Sequence, residues 1–141
     1  LKDVDIEKYL HAARRLEGDV RCRTYRFRGA KIKAAQDVLQ RKLIYSTVKE
    51  NRKMLSCLAG RLNLVVTESG DVYPCETFKE EFLMGNIRDF GCDLNKLTKG
   101  AKASKVLEKI KGCYCTHECY MMTNILFNPR MYPALMREYF S

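Results

Sequence analysis

Cysteines are the residues of this 141-residue chain whose type and spacing could do chemistry. Cys57 and Cys75 flank a predicted β-hairpin, and Cys113, Cys115 and Cys119 lie within the seven residues CYCTHEC. Two thiolates from the ends of a hairpin and two from a later knuckle would complete a four-coordinate metal or iron–sulfur centre. The sequence therefore predicts a metal centre built from these two groups.

The knuckle offers more thiols than such a centre needs. Cys115 and Cys119 are four residues apart, so both can face one way if a helix starts there. Cys113 is only two residues from Cys115, and we expect one of these two to be left over. The predicted ligands are Cys57, Cys75, Cys119 and either Cys115 or Cys113.

Other residues of the same chemical types have simpler interpretations. Cys22 is predicted to lie on a strand and to face the core, and Cys92, without a partner at useful spacing, to be a plain thiol. His117 could complete a zinc site with three cysteines, but we favour a hydrogen bond to a ligand sulfur or exposure to solvent. Gly70 is predicted to serve a turn with positive φ, and Asn86 to satisfy backbone groups.

Composition narrows the class of protein. The 26 basic and 17 acidic residues leave a net charge of +9, which could meet nucleic acid but is more simply a set of solvated helix faces. Seven cysteines, an odd number, favour metal or redox chemistry in a reducing compartment over disulfides. With no long apolar run and no signal-peptide pattern, we expect a soluble protein of the cytoplasm that does not bind membranes.

The N-terminal third of the chain alternates helical and strand patterns. Helical spacing of apolar residues predicts a helix over 3–17, which Gly18 would stop. Alternation over 20–28 predicts a strand closed by Gly29. A second helix is expected over 31–54, and its length leaves room for a break near residues 46–47.

The remainder predicts a small hairpin and several helices. Residues 61–75 alternate around the turn sequence ESGD and end at a proline, and 83–89 could add a short extended segment. Helices are expected over 93–111, with a break near Gly100, over 118–127, and over 133–140. The fold class expected is α+β: a small hairpin followed by helices and a cysteine knuckle, after helix–strand–helix elements.

At Cys57 to Cys75 the chain resembles a known family. Cys57, twelve residues, Gly70, four residues and Cys75 fit the opening of the SPASM/Twitch auxiliary-cluster domain of radical SAM enzymes. The run CLAGRLNLVVTESGDVYPCETF is similar to the hairpin of that domain, and FLMGNIRDF to its following segment. The resemblance covers about residues 57–120, and it divides the chain into 1–56, the end of a radical SAM barrel or linker helices, and 57–141, the auxiliary-cluster domain with C-terminal helices.

The resemblance implies a cofactor and a role. Only Cys115 and Cys119 keep a family spacing in the knuckle, and no cysteine follows Cys119, so one [4Fe–4S] cluster is expected, as in the shorter Twitch form. Such clusters relay an electron or help to position a substrate, in enzymes that modify peptides, proteins or small molecules. The alternatives are a zinc-binding structural or interaction module and a basic nucleic-acid-binding domain.

The resemblance also implies a partner. The Cys-x₃-Cys-x₂-Cys motif that holds the catalytic cluster and S-adenosylmethionine is absent, so this chain alone is not expected to be active. The chain opens with Leu1 in helical sequence, and we expect a C-terminal fragment whose partner is the radical SAM barrel of the same parent chain. A peptide or protein substrate is possible, and nucleic acid is not expected.

Overall fold

The computed structural model of the chain describes residues 5–22, 25–77 and 80–141. That part of the chain combines helices with a small antiparallel sheet, which confirms the predicted α+β class. It divides into two compact units, the first made of residues up to Ser56 together with Tyr114–Ser141, and the second of Cys57–Cys113. The helices are α1 (Ile6–Arg21), α2 (Ala30–Glu50), α3 (Leu94–Thr98), α4 (Ala101–Lys109), α5 (Glu118–Leu126) and α6 (Tyr132–Phe140), and the strands are β1 (Val65–Val66), β2 (Asp71–Tyr73) and β3 (Gly85–Asn86).

The first unit is a helical assembly in which α2 contacts α1, α5 and α6. The Asp5 carboxylate caps α1 by accepting hydrogen bonds from the backbone N–H groups of Glu7 and Lys8, at 3.2 and 3.1 Å. Apolar residues of α2, of α5 and of the segment after α2 then form one core. Its buried members are Leu39, Ile44, Leu55, Met121 and Ile125. None of the helices among the described residues is long and apolar enough to cross a membrane.

The predicted strand over 20–28 is wrong, as is the predicted stop at Gly18. Helix α1 continues through Gly18 to Arg21, and residues 25–29 form an irregular turn into α2; residues 23 and 24 lie outside the described residues. The Arg21 guanidinium donates to Glu17 on the same helix, at 2.7 Å, and to Glu138 on α6, at 2.9 Å. The buried Glu138 carboxylate also accepts from Lys42 on α2 at 2.8 Å, so these ion pairs stabilise a helical Arg21.

Helix α2 runs without a break through residues 46–47, and it ends at Glu50 rather than at the predicted residue 54. The Thr47 hydroxyl donates to the Leu43 carbonyl at 2.8 Å, which accommodates a polar side chain inside the helix. Asn51 then adopts the left-handed conformation, with φ +43°, and ends the helix.

Tyr9 on α1 supplies a test of the core of the first unit, against which it packs. Its hydroxyl is buried without a hydrogen-bond partner among the described residues. Burial first, and then the Glu118 carboxylate, raise its pKa to about 12, with Arg41 opposing them. Because an unpaired buried hydroxyl is unfavourable, we expect Tyr9→Phe to raise the free energy of unfolding at pH 7 by about 1 kcal/mol.

The same comparison has a pH dependence. The raised pKa means that the folded state keeps the Tyr9 phenol neutral while the unfolded state ionises it, so wild-type stability falls as the pH rises from 10 to about 12. The advantage of Tyr9→Phe should therefore widen over that range. Urea unfolding of both proteins at pH 7 and pH 11 measures it, and a destabilised Phe variant at pH 7 would show that the hydroxyl is satisfied.

The second unit is built on the predicted hairpin. Strand β1 pairs with β2 in antiparallel register, with Val66 opposite Val72, and β3 pairs antiparallel with the other edge of β2. The extended segment predicted within 83–89 is thereby confirmed as a third strand. Gly70 has φ +91°, as the turn requires. Helices α3 and α4 cover the sheet, and the core consists of Val72, Met84, Leu97, Ala103 and Val106.

Two further local predictions hold in this unit. The helical stretch over 93–111 is interrupted at Gly100, between α3 and α4. The Asn86 amide donates to the Ser69 carbonyl at 2.9 Å and to the Asp71 carboxylate at 3.0 Å, and its oxygen accepts from the Arg88 N–H. Asn86 therefore ties β3 to the hairpin turn. Hydrogen bonds from Ser69 and then Asn86 hold the pKa of Asp71 below its usual value.

Candidate metal centre

The segment after Cys57 is packed tightly at the base of the hairpin. Cys57 is half-buried, and three residues later the Gly60 N–H donates to the Asn63 carbonyl at 2.8 Å. Gly60 has φ +75°, and a Cβ placed there would lie 2.7 Å from Leu107 Cδ2 and 2.9 Å from Pro74 Cβ. Only a residue without a side chain fits this position.

That contact relates Cys57 to Cys75. Pro74 is fully buried and directly precedes Cys75. Three residues of chain span at most about 10 Å, so Cys57 lies within that reach of Gly60, which is itself packed on Pro74. This packing places the segment that follows Cys57 against the residue that precedes Cys75, while the meeting of the two sulfurs at one centre stays a prediction. Gly60 was not singled out from the sequence. The one sequence feature that could have pointed to it is a glycine three residues after a candidate ligand.

Cys75 is the most enclosed of the candidate thiols, with 6% of its surface exposed. Its Sγ lies 3.3 Å from the Oγ1 of Thr77, two residues further along the turn that follows β2. The Thr77 side chain is exposed, so the hydroxyl reaches the sulfur from the solvent side. Thr77 was given no role from the sequence, and no sequence pattern pointed to this pair.

Cys113 belongs to the same unit as Cys57 and Cys75. Helix α4 passes into a single 3₁₀ turn at Ile110–Gly112, and the Cys113 N–H donates to the Ile110 carbonyl at 2.9 Å. Ile110 is buried and Cys113 is half-buried with an extended backbone. Leu107, which packs against Gly60, lies on α4 six residues before Cys113.

Cys115 and Cys119 belong to the first unit, on either side of the start of α5. The helix begins at Glu118 after an extended His117, so the exposed Cys119 lies in its first turn and the half-buried Cys115 precedes it. Cys115 and Cys119 were expected to face one way only if a helix started at Cys115, and the structure does not meet that condition. The His117 ring makes an edge-to-face contact with Tyr120 at 5.3 Å between centroids, and its proposed hydrogen bond to a ligand sulfur stays a prediction.

The other two cysteines are exposed. Cys22 caps the C-terminal end of α1, so its predicted place on a strand and in the core is wrong. Cys92 has φ +61° in the turn after the 3₁₀ helix Ile87–Phe90, and its interpretation as a plain thiol stays a prediction.

The donor set fits a thiolate-bound group. None of the seven cysteines, all of which are described, forms a disulfide, so thiols rather than cystines are present. Within residues 5–22, 25–77 and 80–141, no three His, Cys, Asp or Glu side chains are gathered closely enough to hold a metal ion. The chemistry of the donors thus fits iron or zinc, while the choice of ligands continues to rest on spacing.

Comparison with protein-family models adds a finding independent of geometry. Residues 57–120 match the model of SPASM, an iron–sulfur cluster-binding domain. The match begins at Cys57 and ends one residue after Cys119, so it contains all five candidate ligands and leaves out Cys22. It covers just under half of the chain and confirms the resemblance that the sequence indicated. No curated protein and no solved structure gives a significant match.

Proposed function

We propose that this chain carries one auxiliary [4Fe–4S] cluster of a radical SAM enzyme, because residues 57–120 match the model of the SPASM iron–sulfur cluster-binding domain. The proposed ligands are Cys57, Cys75, Cys119 and one of Cys115 or Cys113. Iron–sulfur binding follows from the family, whereas the cluster type, its number and the enzyme around it are the proposal.

The observation that carries the proposal is the extent of the family match, which begins at Cys57 and ends one residue after Cys119. Local structure supports it. Gly60 packs on Pro74 and so holds the chain near Cys57 beside the chain at Cys75. Burial of Cys75 gives a ligand sulfur shielded from water, which is a setting that tunes iron–sulfur centres.

The proposed role is electron relay. A bound iron–sulfur cluster supplies one-electron transfer, and four protein thiolates would leave no iron site open to substrate. With only three protein ligands, substrate positioning at the open iron would be the better assignment. The partner that we propose is the radical SAM barrel of the same parent chain, which would hold S-adenosylmethionine and a second cluster. A peptide or protein is the favoured substrate class, small molecules are the alternative, and the cytoplasm is the proposed compartment.

Metal analysis tests the proposal directly. The full chain, reconstituted anaerobically with ferrous iron and sulfide, should bind about four iron and four sulfide per chain and show the broad visible absorption of a [4Fe–4S] cluster. In the same assay Cys113→Ser and Cys115→Ser separate the two candidates for the fourth ligand, because only the ligand variant should lose iron. A colourless protein with one zinc and no sulfide would overturn the proposal in favour of a zinc module that uses His117.

A further inference from the structure

We propose that Thr77 donates a hydrogen bond to the ligand sulfur of Cys75 and thereby raises the reduction potential of the cluster. The inference rests on the proposed function and extends it to a residue outside the ligand set. The observation behind it is the 3.3 Å separation of Thr77 Oγ1 and Cys75 Sγ.

The chemistry of the two groups decides the direction of the bond. Between a thiol and a hydroxyl either atom can donate, but a thiolate bound to iron has no proton and can only accept. The Thr77 hydroxyl, which has one proton and a free rotor, is therefore the donor once Cys75 is a ligand.

The position of the sulfur is well defined. Cys75 is buried, and the fully buried ring of Pro74 before it is held against Gly60. Thr77 follows after one intervening residue in the turn, so the hydroxyl approaches an acceptor that cannot easily move away. The contact between Thr77 and Cys75 is thus set by the backbone of one turn, and it does not depend on a side chain that reaches over from a distant element.

A hydrogen bond to a ligand thiolate withdraws electron density from the sulfur. Reduction adds negative charge to the cluster and its ligands, so a donor stabilises the reduced state more than the oxidised one. Removing the donor should therefore shift the potential to a more negative value while the thiolate still binds iron.

The test compares three variants of the full chain after anaerobic reconstitution. Thr77→Val removes the hydroxyl and keeps the shape, Thr77→Ser keeps the hydroxyl, and Thr98→Val is the control, since its hydroxyl donates to the Leu94 carbonyl within α3. We expect all of them to bind as much iron as wild type. In potentiometric titration Thr77→Val alone should show a more negative potential, and Thr77→Ser should match wild type.

Pulsed EPR of the reduced cluster in heavy water gives a second readout. The exchangeable deuteron of the hydroxyl should couple to the cluster in wild type and Thr77→Ser and be lost in Thr77→Val. An unchanged potential in Thr77→Val, or an equal shift in Thr77→Ser, overturns the inference but leaves the proposed function standing. Absence of iron and sulfide in wild type overturns both.

Discussion

Cys75→Ala should lower the iron content of the reconstituted chain by at least roughly tenfold. Substitution of residues that only hydrogen-bond to metal ligands already lowers metal affinity by about that factor, and loss of a ligand should do no less. Cys75 is buried at the end of the hairpin and lies in the segment that matches the SPASM family. A thiolate removed from a four-ligand site leaves an open iron, which exposes the cluster to loss.

The matched control is Cys22→Ala. Cys22 is an exposed thiol at the end of α1 and lies outside the matched segment, so its removal should leave the iron content unchanged. Cys75→Ser, which preserves the volume of the side chain, separates loss of a ligand from loss of packing. Circular dichroism of the metal-free proteins checks that each variant folds, and equal iron in the Cys75 and Cys22 variants would refute the ligand assignment.

Gly60→Ala should destabilise the second unit by about 2–5 kcal/mol. Adopting φ +75° with a side chain contributes roughly 1–2 kcal/mol, and forcing a methyl group into a filled site contributes roughly 1–3 kcal/mol. Leu107 Cδ2 is the end of a flexible side chain and can shift, but Pro74 Cβ belongs to a buried ring and cannot rotate away. Because Pro74 directly precedes Cys75, the iron content should fall as well.

Gly91→Ala isolates the conformational part of this effect. Gly91 has φ +62°, and nothing lies within 4 Å of a Cβ placed there, so this variant should lose only the conformational part, about 1–2 kcal/mol. Urea unfolding of the two variants and wild type measures the difference. If Gly60→Ala is no less stable than Gly91→Ala, the proposed packing of Gly60 on Pro74 is wrong.

Short-range patterns predicted much of the second unit. The hairpin turn at Gly70, the end of β2 at Pro74 and the interruption at Gly100 all depend on the backbone preferences of single residues. Helix α5 was also predicted within one residue at its C-terminal end. These features need no distant partner, so a sequence pattern is enough to locate them.

The first unit shows where such patterns fail. Alternation over 20–28 favoured a strand, but Arg21 is helical and pairs with Glu138, which follows 117 residues later. The intrinsic preference of a residue for strand or helix amounts to less than about 1 kcal/mol, so the ion pair between Arg21 and the buried Glu138 carboxylate outweighs it. The same long-range pairing explains why Gly18 does not end α1.

The resemblance of residues 57–120 to the SPASM domain and the set of candidate ligands came from the sequence alone, because the spacing of cysteines around a glycine can be recognised without any tertiary contact. The contact of Gly60 with Pro74 and Leu107 at the base of the hairpin became visible only in the tertiary structure. The physical reason is that such a contact depends on how distant backbone segments pack together, and residue types and their spacing in the sequence specify that packing only weakly.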